Sequence, residues 1–216
     1  MKILVVDVGG NNVKLKLNCG DEVRRFPSGP EMDPARMIEG IRQLTPDWEY
    51  ERVTIGYPGP IVKGQVLMEP ANLGRGWVGF DFAAALGKPV LLINDAAMQA
   101  LGSYEGGRML FLGLGTGLGS CLIIDGVVAP LELAHLPYRK EKSFEQYVGE
   151  EARKRRGNVK WQASVHDVVA RLKAALIADY VVLGGGNVKK LTEMPPGCRP
   201  GSNLNAFVGG ARLWEK

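Results

Sequence analysis

Two stretches of this chain run from apolar residues into a cluster of glycines and back into apolar residues. The later one is Leu110–Ile124. Met109 to Leu112 stop at Gly113, glycines recur at 115, 117 and 119 around Thr116, and Cys121 to Ile124 resume the apolar run. Strand, glycine turn, strand is the plain reading, because glycine alone takes positive φ without steric cost. Such a turn leaves backbone N–H groups bare beside the Thr116 hydroxyl, which suits a phosphate; a glycine-rich hairpin with no ligand fits the residues equally well. The earlier stretch is Ile3–Val6 followed by Asp7-Val8-Gly9-Gly10-Asn11-Asn12, after which Val13, Leu15 and Leu17 alternate with Lys14, Lys16 and Asn18. That period of two marks a half-exposed strand. Gly9 falls on Gly115 when the stretches are superposed, and Arg52-Val-Thr-Ile-Gly56 has a counterpart in Tyr180-Val-Val-Leu-Gly184. Each half therefore reads hairpin, helix, strand ending in glycine, and two such hairpins facing each other are able to grip a chain of phosphates from both sides.

The residues between these landmarks supply the helices and the chemistry. Asp33-Pro34 opens a helix with an apolar face of Met37, Ile38, Ile41 and Leu44. Glu69–Asp81 is a loop in which Asn72, rimmed by Trp77, reads either as a pocket residue for a polyhydroxyl ligand or as a turn asparagine beside a packing tryptophan. Asp81 caps a short helix ending at Gly87. Lys88–Asn94 reads as a buried strand, and the helix after it runs to Gly106-Gly107. Asp95, between them, is either the N-cap or a carboxylate at the C-terminal end of a strand. Open α/β sheets keep their ligands at that edge, and the helix N-terminus favours the ionised form that a general base needs. Glu132 and His135 share a face if their segment is helical, and a metal, a sugar hydroxyl or a simple carboxylate–imidazole pair would each explain them. Ser143–Gln146 is a capping box opening a helix to Gly157 whose end, Arg153–Arg156, reads as a solvated basic face in preference to an anion site. Ser164–Asp167 reads as another capping box, before a core stripe of Val165, Val168, Val169, Leu172 and Leu176, with His166 off the stripe. Val181–Leu183 leads into Gly184-Gly185-Gly186-Asn187, and Asn205–Trp214 closes the chain as a helix.

Composition narrows the class without choosing the function. At 216 residues, 45% hydrophobic and 23% charged, the chain suits one large or two small globular domains. No apolar run approaches a membrane span and strand-like sequence begins at Ile3, so a cytoplasmic protein is expected. Cys19, Cys121 and Cys198 are odd in number and far apart, which argues against a disulfide framework or a zinc knuckle. A net charge of +4 allows an acidic partner, including a phosphorylated small molecule or polymer, but no nucleic-acid-binding signature stands out.

DVGGNNVKLKL, IGYPG, IND, LGLGTGLGS, ELAH and VLGGG, in that order, resemble the sugar kinases of the actin–hexokinase–heat-shock superfamily. Within it the chain is similar to the repressor/open-reading-frame/kinase (ROK) group, and to its polyphosphate glucokinases by Pro70–Asp81 and Leu114–Ser120. The resemblance covers Ile3 to about Trp214 and implies an α/β fold of two duplicated ribonuclease H-like, actin-like ATPase lobes with a cleft between them. The expected domains are residues 1–96 and 97–216, with the final helix able to pack back on the first. It implies a hexose kinase using polyphosphate, ATP or both on the 6-hydroxyl of glucose. A kinase for an N-acetylhexosamine or fructose, or a non-catalytic sugar or polyphosphate binder, is the alternative. Residue by residue, the resemblance makes Asp95 the general base and gives Asp7 a magnesium ion, through water. Gly9, Gly10, Asn11, Asn12 and Lys14 would face the phosphoryl donor, Gly115, Thr116 and Gly117 would cradle its phosphates, and Gly184, Gly185 and Gly186 would lie near a nucleoside. Asn72, Asn94, Asp95, Glu132, His135 and Glu145 would bind the sugar. Asn11 stands where the family usually carries Thr or Ser. No cysteine-rich motif follows His135, so no zinc is expected. The short span from Gly186 to Asn205 and the basic chain favour polyphosphate. A homodimer, with no nucleic acid or membrane partner, completes the expectation.

Overall fold

The computed structural model describes residues 1–215; Lys216, last residue of the second expected domain, lies outside them. Contacts divide the chain into a first unit, Met1–Met98 together with the stretch from Ala206 on, and a second, Gln99–Asn205.

In the first unit, β1 (Ile3–Val8), β2 (Asn12–Leu17) and β3 (Val23–Pro27) form an antiparallel meander. Helix α1 (Pro34–Leu44) then leads to β4 (Arg52–Tyr57). A small hairpin, β5 (Ile61–Val62) with β6 (Gln65–Val66), and α2 (Phe82–Leu86) precede β7 (Val90–Asn94) and α3 (Asp95–Ser103). The sheet order is β3-β2-β1-β4-β7, with β4 parallel to both β1 and β7. β1 is buried at all six positions, as a central strand covered on both faces must be. Leu4, Val6 and Val8 pack with Met37, Ile38 and Ile41 of α1, whose N-cap Asp33 accepts from Arg36 N–H at 2.8 Å. Asp81 caps α2 in the same manner, accepting from Ala84 N–H at 2.9 Å.

The second unit repeats the plan. β8 (Arg108–Leu114), β9 (Leu118–Ile124) and β10 (Val127–Leu131) form the meander, joined by the expected turn at Gly115–Gly117 and by a tight turn at Asp125–Gly126. A 3-10 turn (Leu133–His135), the hairpin β11 (Pro137–Arg139)/β12 (Lys142–Ser143) and helices α4 (Glu145–Val148), α5 (Glu150–Arg156) and α6 (Asn158–Ala175) follow. β13 (Tyr180–Gly184), a 3-10 turn (Val188–Lys190) and β14 (Cys198–Pro200) end it. The order is β10-β9-β8-β13-β14, the same as in the first unit, with β13 parallel to β8. Its core sets Leu110, Leu112 and Leu114 against Trp161, Val165, Val168, Val169 and Leu172 of α6. Helix α7 (Asn205–Arg212) then returns to the first unit. There the Thr54 hydroxyl donates to Gly210 O at 2.8 Å and accepts from the Trp214 indole N–H at 2.9 Å. Among the described residues no helix is long and apolar enough to cross a membrane.

Five local expectations are corrected. β7 is an edge strand with Leu91 exposed, so it is half-buried. α3 stops at Ser103. The helix opened by Ser143 breaks at Gly149, where a side chain would press on Thr116 O and Glu145 O. Ser164 lies inside α6, not at its start; its hydroxyl back-bonds to Lys160 O at 3.1 Å and accepts from Arg156 at 2.9 Å. Finally, Gly9, Gly10, Gly115 and Gly117 do not adopt left-handed φ. Space, not backbone handedness, is what Gly9 and Gly117 answer to: a Cβ would meet Asn12 O at 3.1 Å or the Glu145 carboxylate.

Candidate active site

In the first unit the site grows from the C-terminal edge of three parallel strands. Register pairs Asp7 with Gly56, and Tyr57 with Asn94, so the turn after β1, the Tyr57–Gly59 bend and the start of α3 lie along one edge. The first glycine turn is tied from within and from outside. Gly9 N–H donates to Asn12 O at 3.0 Å, Ser28 N–H donates to Asn11 O at 3.0 Å, and the Ser28 hydroxyl donates to Gly9 O at 2.5 Å. Ser28 carries no sequence signal for this role. Asp7 is buried and pairs through Oδ2 with Lys14 Nζ at 3.2 Å, directly opposite it in the β1/β2 register. Gly10 is exposed, and the nearest neighbour of a Cβ there would be the Cβ of exposed Asn72 at 3.8 Å.

Asn94 is buried and does double duty. Its Oδ1 accepts from Ala97 N–H at 3.0 Å, capping α3, while its Nδ2 donates to Gly59 O at 3.1 Å. The cap that could have absorbed Asp95 therefore belongs to Asn94. Asp95 sits half-buried in the first turn of α3, its Oδ1 accepting from Ala96 N–H at 2.7 Å, where the helix dipole favours a carboxylate. Trp77 is fully buried, packed with Tyr57 and Phe82, its ring 5.4 Å from that of Tyr57. The loop that carries Asn72 is ordered by Glu69, which accepts from Trp77 N–H at 3.1 Å and Val78 N–H at 3.2 Å.

In the second unit the glycine turns after β8 and β13 adjoin. Asn187 N–H donates to Leu114 O at 2.9 Å and its side-chain amide to Gly115 O at 3.1 Å. Gly184 leaves room for the Phe111 ring, and Gly185, at φ +85°, for Leu114 O; Gly186 faces open space. Packing thus accounts for the first two of the three. The Gly115–Gly117 turn spends one donor internally, Gly115 N–H to Gly117 O at 3.2 Å, and the adjoining Leu118 N–H donates to Glu145 Oε2 at 3.2 Å. Thr116 is exposed, and the turn is buttressed by Glu150 N–H donating to Gly115 O at 3.0 Å.

Glu132 occupies the N-cap position of the 3-10 turn and His135 ends it, with Oε2 and Nε2 3.7 Å apart and both side chains largely exposed. The Ser120 hydroxyl pins this turn, donating to Leu131 O at 2.7 Å and accepting from Leu133 N–H at 3.2 Å. The capping box is real: Ser143 N–H donates to Gln146 Oε1 at 2.9 Å, which aims the following helix and with it Glu145. Among the described residues no group of three His, Cys, Asp or Glu side chains is placed to hold a metal ion.

Two units of identical sheet order, each opening on a glycine-turned hairpin, with a carboxylate at the head of the helix after the last strand of the first, define the fold of the actin-like ROK sugar kinases. No family model matches the chain. It is 25% identical over 213 residues to the polyphosphate glucokinase of Mycobacterium tuberculosis (strain CDC 1551 / Oshkosh), covering 88% of this chain and 80% of that protein. The crystal structure of an inorganic polyphosphate/ATP-glucomannokinase from Arthrobacter sp. strain KM superposes with a TM-score of 0.83 at 25% identity, covering 98% and 97% of the two chains. A ROK hexokinase from Thermus thermophilus shares the fold, with a TM-score of 0.74 at 20% identity over 99% and 98%. The likeness to ROK sugar kinases close to polyphosphate glucokinase covers most of the chain.

Proposed function

We propose that this protein is a hexose kinase that moves the terminal phosphoryl group of polyphosphate or ATP onto the 6-hydroxyl of glucose or a related hexose. The observation that carries the reading is the division of labour at the head of α3. Asn94 takes the capping bond, and Asp95 stands as a carboxylate at the strand edge that also bears the Asp7–Lys14 turn.

In this reading Asp95 accepts the proton of the sugar 6-hydroxyl as that oxygen attacks the terminal phosphorus. The bond from phosphorus to the bridging oxygen breaks, and the shortened donor leaves with the electron pair. Little covalent chemistry falls to the protein, so positioning and charge stabilisation carry the rate. Gly9, Gly10, Asn11, Asn12 and Lys14 of the first unit face the donor, as do the Thr116 hydroxyl and the Gly115–Gly117 backbone of the second, with Gly184–Gly186 nearby for a nucleotide. Asn72, Glu132, His135 and Glu145 hold sugar hydroxyls, while Asn94 acts by holding Asp95 and the Gly59 bend. A buried lone carboxylate paired with lysine fits a magnesium ion that arrives on the donor phosphates and keeps most of its water, rather than a resident metal cage. Magnesium, when bound, neutralises phosphate charge.

The test is a matrix of sugars (glucose, mannose, fructose, N-acetylmannosamine) against ATP, GTP and polyphosphate, with Asp95→Asn as control. Turnover of glucose with at least one donor, abolished in the control, is the expected result. No turnover in any cell of the matrix would refute the reading.

A further inference from the structure

Glu132 and His135 precede the β11/β12 hairpin and Glu145 follows it, so the hairpin decides whether these three side chains keep their relative places. The hairpin is a poor candidate to hold itself. It has two short strands, closed by Phe144 N–H donating to Leu136 O at 3.1 Å. Its tip puts Lys140 and Glu141 at φ +48° and +59°, a region that side chains other than glycine enter at a cost.

What holds it lies on α6. The Tyr138 hydroxyl donates to Asp167 Oδ2 at 2.5 Å, and the same oxygen accepts from Arg139 at 3.1 Å and Arg171 at 2.7 Å. The Tyr138 ring lies 5.1 Å from that of Phe144 and meets Tyr147 edge-on at 4.9 Å, with the Arg139 guanidinium 4.8 Å from its centroid. Asp167 rests on a rigid base, since Val165, Val168 and Val169 around it in α6 are buried core. Burial first, and the bond to Asp167 second, push the Tyr138 hydroxyl up to about 12. The Tyr138 bond foremost, then the two arginines, hold the Asp167 carboxyl below its usual range. Both groups therefore keep their charge state around neutral pH, and the contact is a permanent staple rather than a switch.

We infer that Tyr138 and Asp167 are positioning residues for sugar binding, stapling the β11/β12 hairpin to α6 so that Glu132, His135 and Glu145 are held in register. The inference rests on the reading of those three as sugar contacts. It is tested on the full chain with Tyr138→Phe, which keeps the ring and removes the donor, Asp167→Ala, which removes the acceptor, and Asp167→Asn, which restores an oxygen. Losing a charge-assisted bond at this site is expected to raise the KM for sugar roughly tenfold in the first two variants, with kcat and the donor KM within about twofold. Asp167→Asn should recover part of the loss. Amide exchange should quicken across residues 136–145 while the core of α6 keeps its protection. Unchanged sugar KM in both Tyr138→Phe and Asp167→Ala, or equal effects on sugar and donor, would overturn the inference. Should the wild-type chain phosphorylate no sugar, the kinase reading fails instead. Exchange then decides the staple alone: quickening confined to 136–145 supports it and no change refutes it.

Discussion

The Glu145 carboxylate fills the space that a Cβ on Gly117 would need, and its Oε2 accepts a hydrogen bond from the next N–H, that of Leu118, at 3.2 Å. A proposed sugar ligand and a proposed phosphate turn are thus packed against each other within one unit. Gly117→Ala should push the carboxylate away and break that bond. A charge-assisted hydrogen bond of about 1.5–3 kcal/mol corresponds to a fall in kcat/KM for the sugar of roughly tenfold or more. Steady-state kinetics with varied sugar checks it.

Asp95→Asn keeps the shape of the head of α3 and removes the base. Turnover should fall by about 10²–10⁴, with sugar affinity by calorimetry within a few-fold. Turnover near the wild-type level would reassign the base.

Asn94→Ala should act differently. It removes the α3 cap and the tie to Gly59, so it should cost about 1–2 kcal/mol of stability and lower kcat by loosening Asp95. Thermal unfolding and kinetics on the same variant separate the two effects.

The Glu150 carboxyl is held down to about 2, first by its hydrogen bond from Arg153. A depressed carboxylate contributes stability that is fully present above its unfolded pKa of about 4.3 and lost as the pH falls through the folded value. The Tm advantage of wild type over Glu150→Gln should therefore be constant from pH 7 to about 5 and vanish towards pH 2. Because the pair is solvent-accessible, added salt should shrink it at every pH. An advantage that grew on acidification would contradict the assignment.

Gly210 leaves room for the Val5 side chain beneath α7. Gly210→Ala overpacks that contact and should destabilise by about 1–3 kcal/mol. Thr54→Val, which loses the hydroxyl that both gives and receives a bond there, should be destabilising as well. Denaturant midpoints read both.

What was legible in the sequence was local. The two glycine hairpins, the Asp33 and Asp81 caps and the Ser143/Gln146 box all rest on neighbours a few residues away, and the repeated sheet plan follows from the repeated hairpins. What escaped depends on distant partners. Gly149 breaks a helix because Thr116 O approaches it, and a single glycine in a helical pattern does not announce that. Ser164 looks like a cap, yet α6 begins at Asn158, and Trp161, a turn before that serine, is fully buried with its indole N–H donating to Val148 O at 2.7 Å. Whether Asp95 or Asn94 capped α3 could not be read from two adjacent polar residues; the Ala97 N–H settles it. That Gly184 and Gly185 also make room for the Phe111 ring and the Leu114 backbone could not be read either, since both neighbours lie some seventy residues away.

The return of α7 makes the first unit discontinuous, because residues 99–205 interrupt it. During synthesis the second unit is complete while the first still lacks the segment that covers Val5 and bonds Thr54. Of the two units, the one begun first is therefore the one finished second. Until Gly210 and Trp214 leave the ribosome, the face of the first sheet that carries Val5 and Thr54 lacks its cover and is the surface a nascent-chain chaperone would have to guard.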